Sequence, residues 1–123
     1  MSATMGRLIA RRRFGSEECP MATPIYLLVL GTGFTEAWYQ LSKREQEELW
    51  AKVEDVERRA GSNWLILCDS RWADEGVFDW GVLEYPDMDA YRLKVAELEK
   101  LNWWRYWSSS RTILGTKMDQ PSP

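Results

Sequence analysis

Three short stretches of this sequence combine polar side chains with aromatic ones. They are Cys-Asp-Ser-Arg-Trp at 68–72, Val-Phe-Asp-Trp-Gly at 77–81 and Asn-Trp-Trp-Arg-Tyr-Trp at 102–107. A carboxylate that is partly desolvated among apolar groups has a raised pKa and can remove a proton from carbon. Arginine and tyrosine donors beside it can stabilise the enolate or phenolate that forms. The three stretches therefore indicate acid–base chemistry on a small organic molecule.

The candidate catalytic residues are those that supply these groups. Asp69 is the candidate base, and Arg71, Arg105 and Tyr106 would stabilise the anion. Flat aromatic side chains hold planar or apolar substrates, and the candidate substrate-binding residues are Trp38, Tyr39, Trp72, Trp80 and Trp103. A second interpretation stays open: Asp69 forms a structural ion pair with Arg71 or Arg105, and Trp103, Trp104 and Trp107 anchor a core or a dimer interface.

The absence of histidine beside eight tryptophans argues against several classes of enzyme. Histidine is the most frequent general base and metal ligand, and serine hydrolases use it to activate their nucleophile. The sequence has no zinc-ligand or phosphate-loop pattern. Gly31-Thr32-Gly33 follows an apolar run, but Glu36 occupies the place of the third glycine of a dinucleotide motif. We therefore expect neither a metal nor any other cofactor.

Length and composition indicate one domain with an ordinary hydrophobic core. The chain has 123 residues, of which 45% are hydrophobic and 28% charged, and no apolar run approaches the roughly 20 residues that span a membrane. The formal net charge is −3, although residues 1–23 hold four arginines against two glutamates. The folded part is therefore acidic, which argues against nucleic acid as a partner. Cys19 and Cys68 indicate free thiols in a reducing compartment, the cytoplasm.

Three segments are expected along the chain. Residues 1–23 show no periodic apolar pattern and predict a disordered N-terminal extension, residues 24–116 form the folded domain, and residues 117–123 form a flexible tail. Two origins of the extension stay open. Either Met21 is the true initiator, or the arginine-rich segment is a weak organelle-targeting peptide.

The folded domain divides into strands and helices. Apolar runs predict strands at 25–30, 64–69, 77–85 and about 107–115, and the glycines after residue 30 end the first of them. Ser42 and Glu45 form a capping box that begins a helix, which Gly61 ends. Asp87 caps a second helix, whose apolar face consists of Met88, Tyr91, Val95, Leu98 and Leu101.

This order of elements predicts a ferredoxin-like βαββαβ fold. The expected α+β domain has a four-stranded antiparallel sheet with two helices on one face. Apolar residues occupy both sides of the first strand, since Leu28 and Leu30 point away from Leu27 and Val29. The second face of the sheet therefore also needs burial, and we expect a homodimer whose sheets pack face to face.

Over residues 24–116, the element order, the size and the two-sided sheet resemble the dimeric α+β barrel superfamily. Its members include antibiotic-biosynthesis monooxygenases and many small uncharacterised domains. The resemblance implies a homodimer in which each protomer holds a small ligand between its helices and its sheet. Haem-degrading members rely on an axial histidine, which this chain lacks, so haem degradation by that route is not expected.

The expected function is that of a small cofactor-independent enzyme, a monooxygenase or an isomerase or cyclase. Its tryptophan-lined pocket would take an aromatic, polyketide-like or terpenoid molecule, and neither nucleic acid nor membrane is an expected partner. Two alternatives involve no reaction. One is a homodimer that binds an apolar or aromatic small molecule in the same pocket, and the other is a structural homodimer whose aromatic residues all lie in cores.

Overall fold

The structure is a computed structural model, and it describes residues 23–73 and 75–119. Its elements in chain order are β1 (Ile25–Phe34), α1 (Glu36–Tyr39), α2 (Lys43–Arg59), β2 (Asn63–Asp69), β3 (Asp79–Tyr85), α3 (Met88–Lys100), a 3-10 helix (Trp103–Arg105) and β4 (Trp107–Gly115). The predicted N-terminal extension, except for its last residue, lies outside the described residues, and so do residues 120–123 of the predicted tail.

The first strand runs beyond its predicted end. β1 continues through Gly31 as far as Phe34, because glycine lacks the side chain that would collide there. A Cβ atom at Gly31 would clash with the carboxylate of Asp79, and Gly33 has a φ of +104°, which residues with a side chain rarely adopt. The prediction that the glycines end the strand is therefore wrong; they allow it to continue.

The predicted helix caps are confirmed. The Ser42 hydroxyl accepts the backbone N–H of Glu45 at 3.1 Å, while the Glu45 carboxylate accepts the backbone N–H of Ser42 at 2.8 Å, so a capping box begins α2. The Asp87 carboxylate accepts the backbone N–H of Ala90 at 2.8 Å and begins α3. Gly61 follows α2 with a φ of +74°. In the described part of the chain, no helix is both long and apolar enough to cross a membrane.

All strand pairs are antiparallel, and the strands lie in the order β2-β3-β1-β4. β1 pairs with β3 without interruption, from Ile25 opposite Tyr85 to Gly31 opposite Asp79. Its pairing with β4 is interrupted twice, between Leu30 and Gly31 and between Gly31 and Gly33, which separates the pairs of residues 111–115 from those of residues 107 and 108. The sheet therefore consists of five strand segments.

The predicted four-stranded ferredoxin-like βαββαβ fold with two helices is wrong. The structure is α+β, but α1 stands between β1 and α2, which gives three α-helices in the part of the chain that the structure describes, and the pairing of the last strand is divided into two segments. α1 has only four residues, too few to show the apolar repeat by which a helix is recognised in a sequence. The division of β4 follows the serines at 108–110, whose small polar side chains give no apolar alternation to indicate register.

The sheet has a covered face and an open face. The covered face lies under the helices and presents the buried residues Ile25, Leu27, Val29, Leu83 and Tyr85. By register, the apolar residues of the open face are Tyr26, Leu28, Leu30, Ile66, Trp80, Val82 and Ile113, and Cys68, Glu84 and Arg111 lie on the same face. Leu27 is 2% exposed, whereas Ile66 is 48% and Ile113 43% exposed. The helices place their buried residues on the covered side, and the open face presents apolar side chains to solvent.

Candidate functional site

Asp69 is the last residue of β2 and forms an exposed ion pair. Its carboxylate accepts the Arg71 Nε–H at 3.2 Å and the Arg71 backbone N–H at 3.1 Å. Both side chains are more than half exposed, 60% for Asp69 and 68% for Arg71. The hydrogen bonds from Arg71 lower the pKa of Asp69 below its usual value. This direction is opposite to the raised pKa expected of a desolvated base, so the geometry favours the ion-pair interpretation.

The neighbours of Asp69 do not enclose it. Asp79 is its cross-strand partner and folds over Gly31 on the covered side of the sheet, so Trp80, the next residue of β3, lies on the open face. Trp72 is 85% exposed, and its indole N–H donates to the Asp69 carbonyl oxygen at 3.0 Å. The predicted binding residues Trp72 and Trp80 therefore lie in different surroundings rather than in one pocket.

Arg105 and Tyr106 lie just beyond the end of β1. The Thr35 backbone N–H donates to the Tyr106 carbonyl oxygen at 2.9 Å, and the Thr35 hydroxyl donates to the Arg105 carbonyl oxygen at 2.6 Å. The Arg105 guanidinium lies 5.9 Å from the centroid of the Tyr106 ring. Within residues 23–73 and 75–119, no hydrogen bond or ion pair joins either residue to Asp69. The four predicted catalytic residues therefore form two separate pairs.

Five aromatic residues pack together at this end of β1, and we call them the aromatic cluster: Phe34, Trp38, Trp50, Trp103 and Tyr106. Trp38 stacks on Phe34 at 4.4 Å between centroids, and the edge of Trp103 meets Trp38 at 6.0 Å. Asn102 adopts a left-handed conformation (φ +56°) before the 3-10 helix that carries Trp103. Trp38 and Trp103 are buried, while Tyr39 at the end of α1 is exposed. Trp38 and Trp103 therefore pack in the core at this end of the sheet, and Tyr39 lies on the surface.

A buried ion pair, absent from the sequence-based expectations, joins two helices to the sheet. Lys94 of α3 is 6% exposed, and its Nζ lies 3.7 Å from Oε2 of Glu57 on α2. The hydroxyl of Tyr85 on β3 donates to Oε1 of Glu57 at 2.9 Å. The same Nζ lies 5.4 Å and 5.5 Å from the ring centroids of Tyr85 and Tyr91, within cation–π range. We call these four residues the lysine cluster.

Burial governs protonation in the lysine cluster. Desolvation lowers the pKa of Lys94, although the Glu57 carboxylate opposes it. Desolvation, with the Glu57 charge in support, raises the pKa of Tyr85 and of Tyr91. The polar atoms satisfy one another, which is the arrangement of a structural network. One signal could have revealed it: Lys94 stands three residues after Tyr91 and four before Leu98, which places it on the apolar side of α3.

An apolar groove of about 500 Å³ crosses the open face of the sheet. Its volume falls within the range of about 300–1,000 Å³ that is typical of small-molecule sites. Residues from all four strands line it, among them Tyr26, Leu28, Leu65, Val82 and Ile113, and Lys117 lies at the end beyond β4. The groove is on the side of the sheet away from the helices, whereas the resemblance implied a ligand between helices and sheet.

Comparison with known proteins gives this chain no family. No protein-family model matches the chain, and neither does any curated protein. The resemblance to dimeric α+β barrels therefore stays a prediction, and the function has to be argued from the geometry.

Proposed function

We propose that this protein is a binding domain that forms a homodimer by packing its open face against the open face of a second copy. The observation that supports this proposal is that the open face presents apolar side chains to solvent. Leu28, Val82 and Ile113 lie side by side on three strands, and Ile113 is 43% exposed. Removing such surface from water is favourable, and a two-fold pair covers both copies with one contact.

The size of the open face sets the expected strength of association. Four strands about 4.8 Å apart, each contributing about five residues of 3.4 Å, make a patch of roughly 300 Å². This is at the lower end of the largest apolar patches on monomers, about 300–600 Å², and below the roughly 800 Å² that each partner buries in a standard complex. We therefore expect a weak dimer, with a dissociation constant in the micromolar range or above.

The enzymatic alternative, a cofactor-independent monooxygenase, isomerase or cyclase, has less support. It requires Asp69 as a base of raised pKa, whereas Arg71 lowers that pKa. It also requires the Arg105 and Tyr106 side chains beside Asp69, and within the described residues no hydrogen bond or ion pair joins them to it. The proposed homodimer needs only the exposed apolar face.

We also propose a cytoplasmic location for the protein. The support is the free thiol of Cys68 on β2, since reducing compartments are where unpaired cysteines are ordinarily maintained.

Sedimentation velocity tests the homodimer. We expect the wild-type protein to shift from monomer to dimer as its concentration rises to about 300 µM. Ile113→Lys places a charge on the open face, on the edge strand β4 opposite Leu28 of β1, and should abolish the shift, because the charge would have to be desolvated on association.

Leu93→Lys is the matched control, because Leu93 on α3 is 40% exposed, close to the exposure of Ile113, but lies outside the open face. This variant should dimerise as the wild type does. A wild-type protein that stays monomeric over the whole concentration range, or an Ile113→Lys variant that dimerises normally, would overturn the proposal.

A further inference from the structure

We propose that Glu84 and Arg111 set the orientation of the homodimer and its preference for a second copy of the same chain. The Glu84 carboxylate of each copy would contact the Arg111 guanidinium of the other, on the two sides of a two-fold axis that passes over Leu28. The inference rests on the proposed function, because it requires the open faces to pack together. It goes further by naming the residues that decide how they pack.

The strand register places the two charges symmetrically about the middle of the open face. Glu84 of β3 lies opposite Tyr26 of β1, and Arg111 of β4 lies opposite Leu30 of β1. Leu28 is midway between Tyr26 and Leu30, and β1 lies between β3 and β4. The line that joins the two charges therefore passes over Leu28. Its length is about 17 Å, from about 10 Å across the strands and about 14 Å along them.

A single two-fold axis over Leu28 pairs both charges. Two copies that pack face to face through the same surface are related by a two-fold axis in the plane of their contact. An axis at right angles to the line from Glu84 to Arg111 exchanges these two positions, so each carboxylate faces a guanidinium of the second copy. The same axis sets Leu28 against Leu28 and centres the contact on the apolar residues beside it. The strands of the two copies then cross at roughly 70°, close to the orthogonal class of sheet packing.

Both charged groups are available to a second copy. Within residues 23–73 and 75–119, no ion pair engages Arg111 or Glu84. The Tyr26 hydroxyl donates to Oε2 of Glu84 at 3.0 Å, which holds the carboxylate in place and leaves Oε1 to accept from a guanidinium. Arginine suits this partner, because its planar fork of donors matches a carboxylate. Complementary charges of this kind fix the register of an interface and disfavour wrong partners.

Lys117 is a second cation near the open face, but it is less well placed. It follows β4, two residues beyond Gly115, which lies opposite Tyr26. An axis that exchanged Lys117 with Glu84 would pass over the start of β1, at the end of the face. The apolar residues at the other end would then stay in water. The position of Arg111 allows both the charges and the apolar residues to be covered by one contact.

Charge reversal followed by sedimentation velocity at low ionic strength tests the inference. Glu84→Lys alone, or Arg111→Glu alone, sets like charges against each other twice in the dimer and should weaken self-association at least about tenfold. An equimolar mixture of the two variants should form a heterodimer about as strong as the wild-type dimer, within about threefold. The reason is that one variant is positive at both positions and the other is negative at both, so opposite charges meet again.

Lys117→Glu is the matched control, because it changes the net charge by the same amount as Arg111→Glu. It should dimerise as the wild type does. Circular dichroism of each variant establishes that it is folded. Single variants that dimerise normally, a mixture of folded Glu84→Lys and Arg111→Glu that stays monomeric, or a loss of association in Lys117→Glu equal to that in Arg111→Glu would each overturn the inference.

The wild-type protein in the same experiment separates this inference from the homodimer itself. A wild type that dimerises, with a variant mixture that does not, would retain the proposed association and overturn the pairing of Glu84 with Arg111. A wild type that stays monomeric over the whole concentration range would overturn both.

Discussion

The two faces of the sheet are built from alternate residues of the same strands, yet their side chains are buried to different extents. On β1, Leu27 is 2% exposed beneath the helices, and its neighbour Leu28 is only partly buried in the open groove. On β3, Leu83 is 3% exposed and Val82 is partly buried. Apolar residues on both faces therefore do not mean that the two faces contribute equally to the stability of the single chain.

Polarity also separates the faces. The covered side includes the lysine cluster, in which Lys94, Glu57 and Tyr85 satisfy one another away from water. The open groove has its cation, Lys117, at one end in contact with solvent. Buried charge on the covered side fixes how elements pack, whereas the Lys117 ammonium stays in water. The comparison teaches that one face stabilises the fold, while the other leaves apolar side chains exposed.

The largest expected effect comes from truncating the two faces at adjacent positions of β3. Leu83→Ala should lower the free energy of unfolding by about 3 kcal/mol, because it leaves a cavity in a closed core. Val82→Ala should cost about 1 kcal/mol or less, because its surroundings are already partly open to water. Urea unfolding followed by circular dichroism, at a concentration where the protein is monomeric, measures both.

Equal losses for the two variants would contradict the comparison, because they would show that Val82 is as enclosed as Leu83. Repeating the measurement at high protein concentration makes the comparison of the two faces sharper. If the open face is buried in a homodimer, the cost of Val82→Ala should grow with protein concentration while that of Leu83→Ala should not.

The next effect concerns the buried charges of the covered side. Glu57→Gln leaves the Lys94 ammonium, whose side chain is 8% exposed, without its counter-ion and should cost about 2–3 kcal/mol. Lys94→Met keeps most of the volume and leaves a carboxylate that is 23% exposed and reachable by water, so it should cost about 1 kcal/mol or less. The same urea experiment measures both. A greater loss of stability for Lys94→Met would show that the Glu57 carboxylate depends more on its counter-ion than the Lys94 ammonium does.

Much of the local structure could be predicted from the sequence because it is set by neighbours in the chain. The capping box of Ser42 and Glu45 and the cap at Asp87 depend on contacts three residues apart, and both are confirmed. The overall topology depends on features without a local signature. The four-residue helix α1 and the interrupted pairing of β4 with β1 are set by packing and strand pairing, so the predicted ferredoxin-like fold is wrong.

The candidate site shows the same limit. The composition of the 68–72 stretch indicated a base, but the pKa of Asp69 depends on exposure and on the direction of Arg71, which only the folded chain defines. Lys94 was overlooked because a lysine in a helix is ordinarily solvent-exposed, although its spacing from Tyr91 and Leu98 placed it on the apolar side. The apolar open face was predictable, since the unbroken apolar run of β1 supplies both sides of the strand.

The smallest expected effect is a pH dependence that belongs to the covered side alone. Tyr85 faces Glu57 of α2 and Lys94 and Tyr91 of α3, and burial raises its pKa. In the unfolded chain it ionises near its ordinary value of about 10. Above that pH the unfolded state has lost a proton that the folded state retains, so the stabilisation that Tyr85 provides is present below about pH 10 and is lost as the pH rises, by about 1.4 kcal/mol per pH unit.

Tyr85→Phe isolates this contribution, because Lys94 and Tyr91 titrate in both proteins and their effects largely cancel in the difference. From pH 7 to 9 the variant should be about 1 kcal/mol less stable, since the hydrogen bond to Glu57 is lost. Above about pH 10 the deficit should shrink, and about one pH unit higher it should reverse. Tyr39→Phe, at an exposed tyrosine, should show no such change. A deficit for Tyr85→Phe that stays constant up to pH 11 would mean that water reaches the Tyr85 hydroxyl, and the contrast between the two faces would then lie in packing alone.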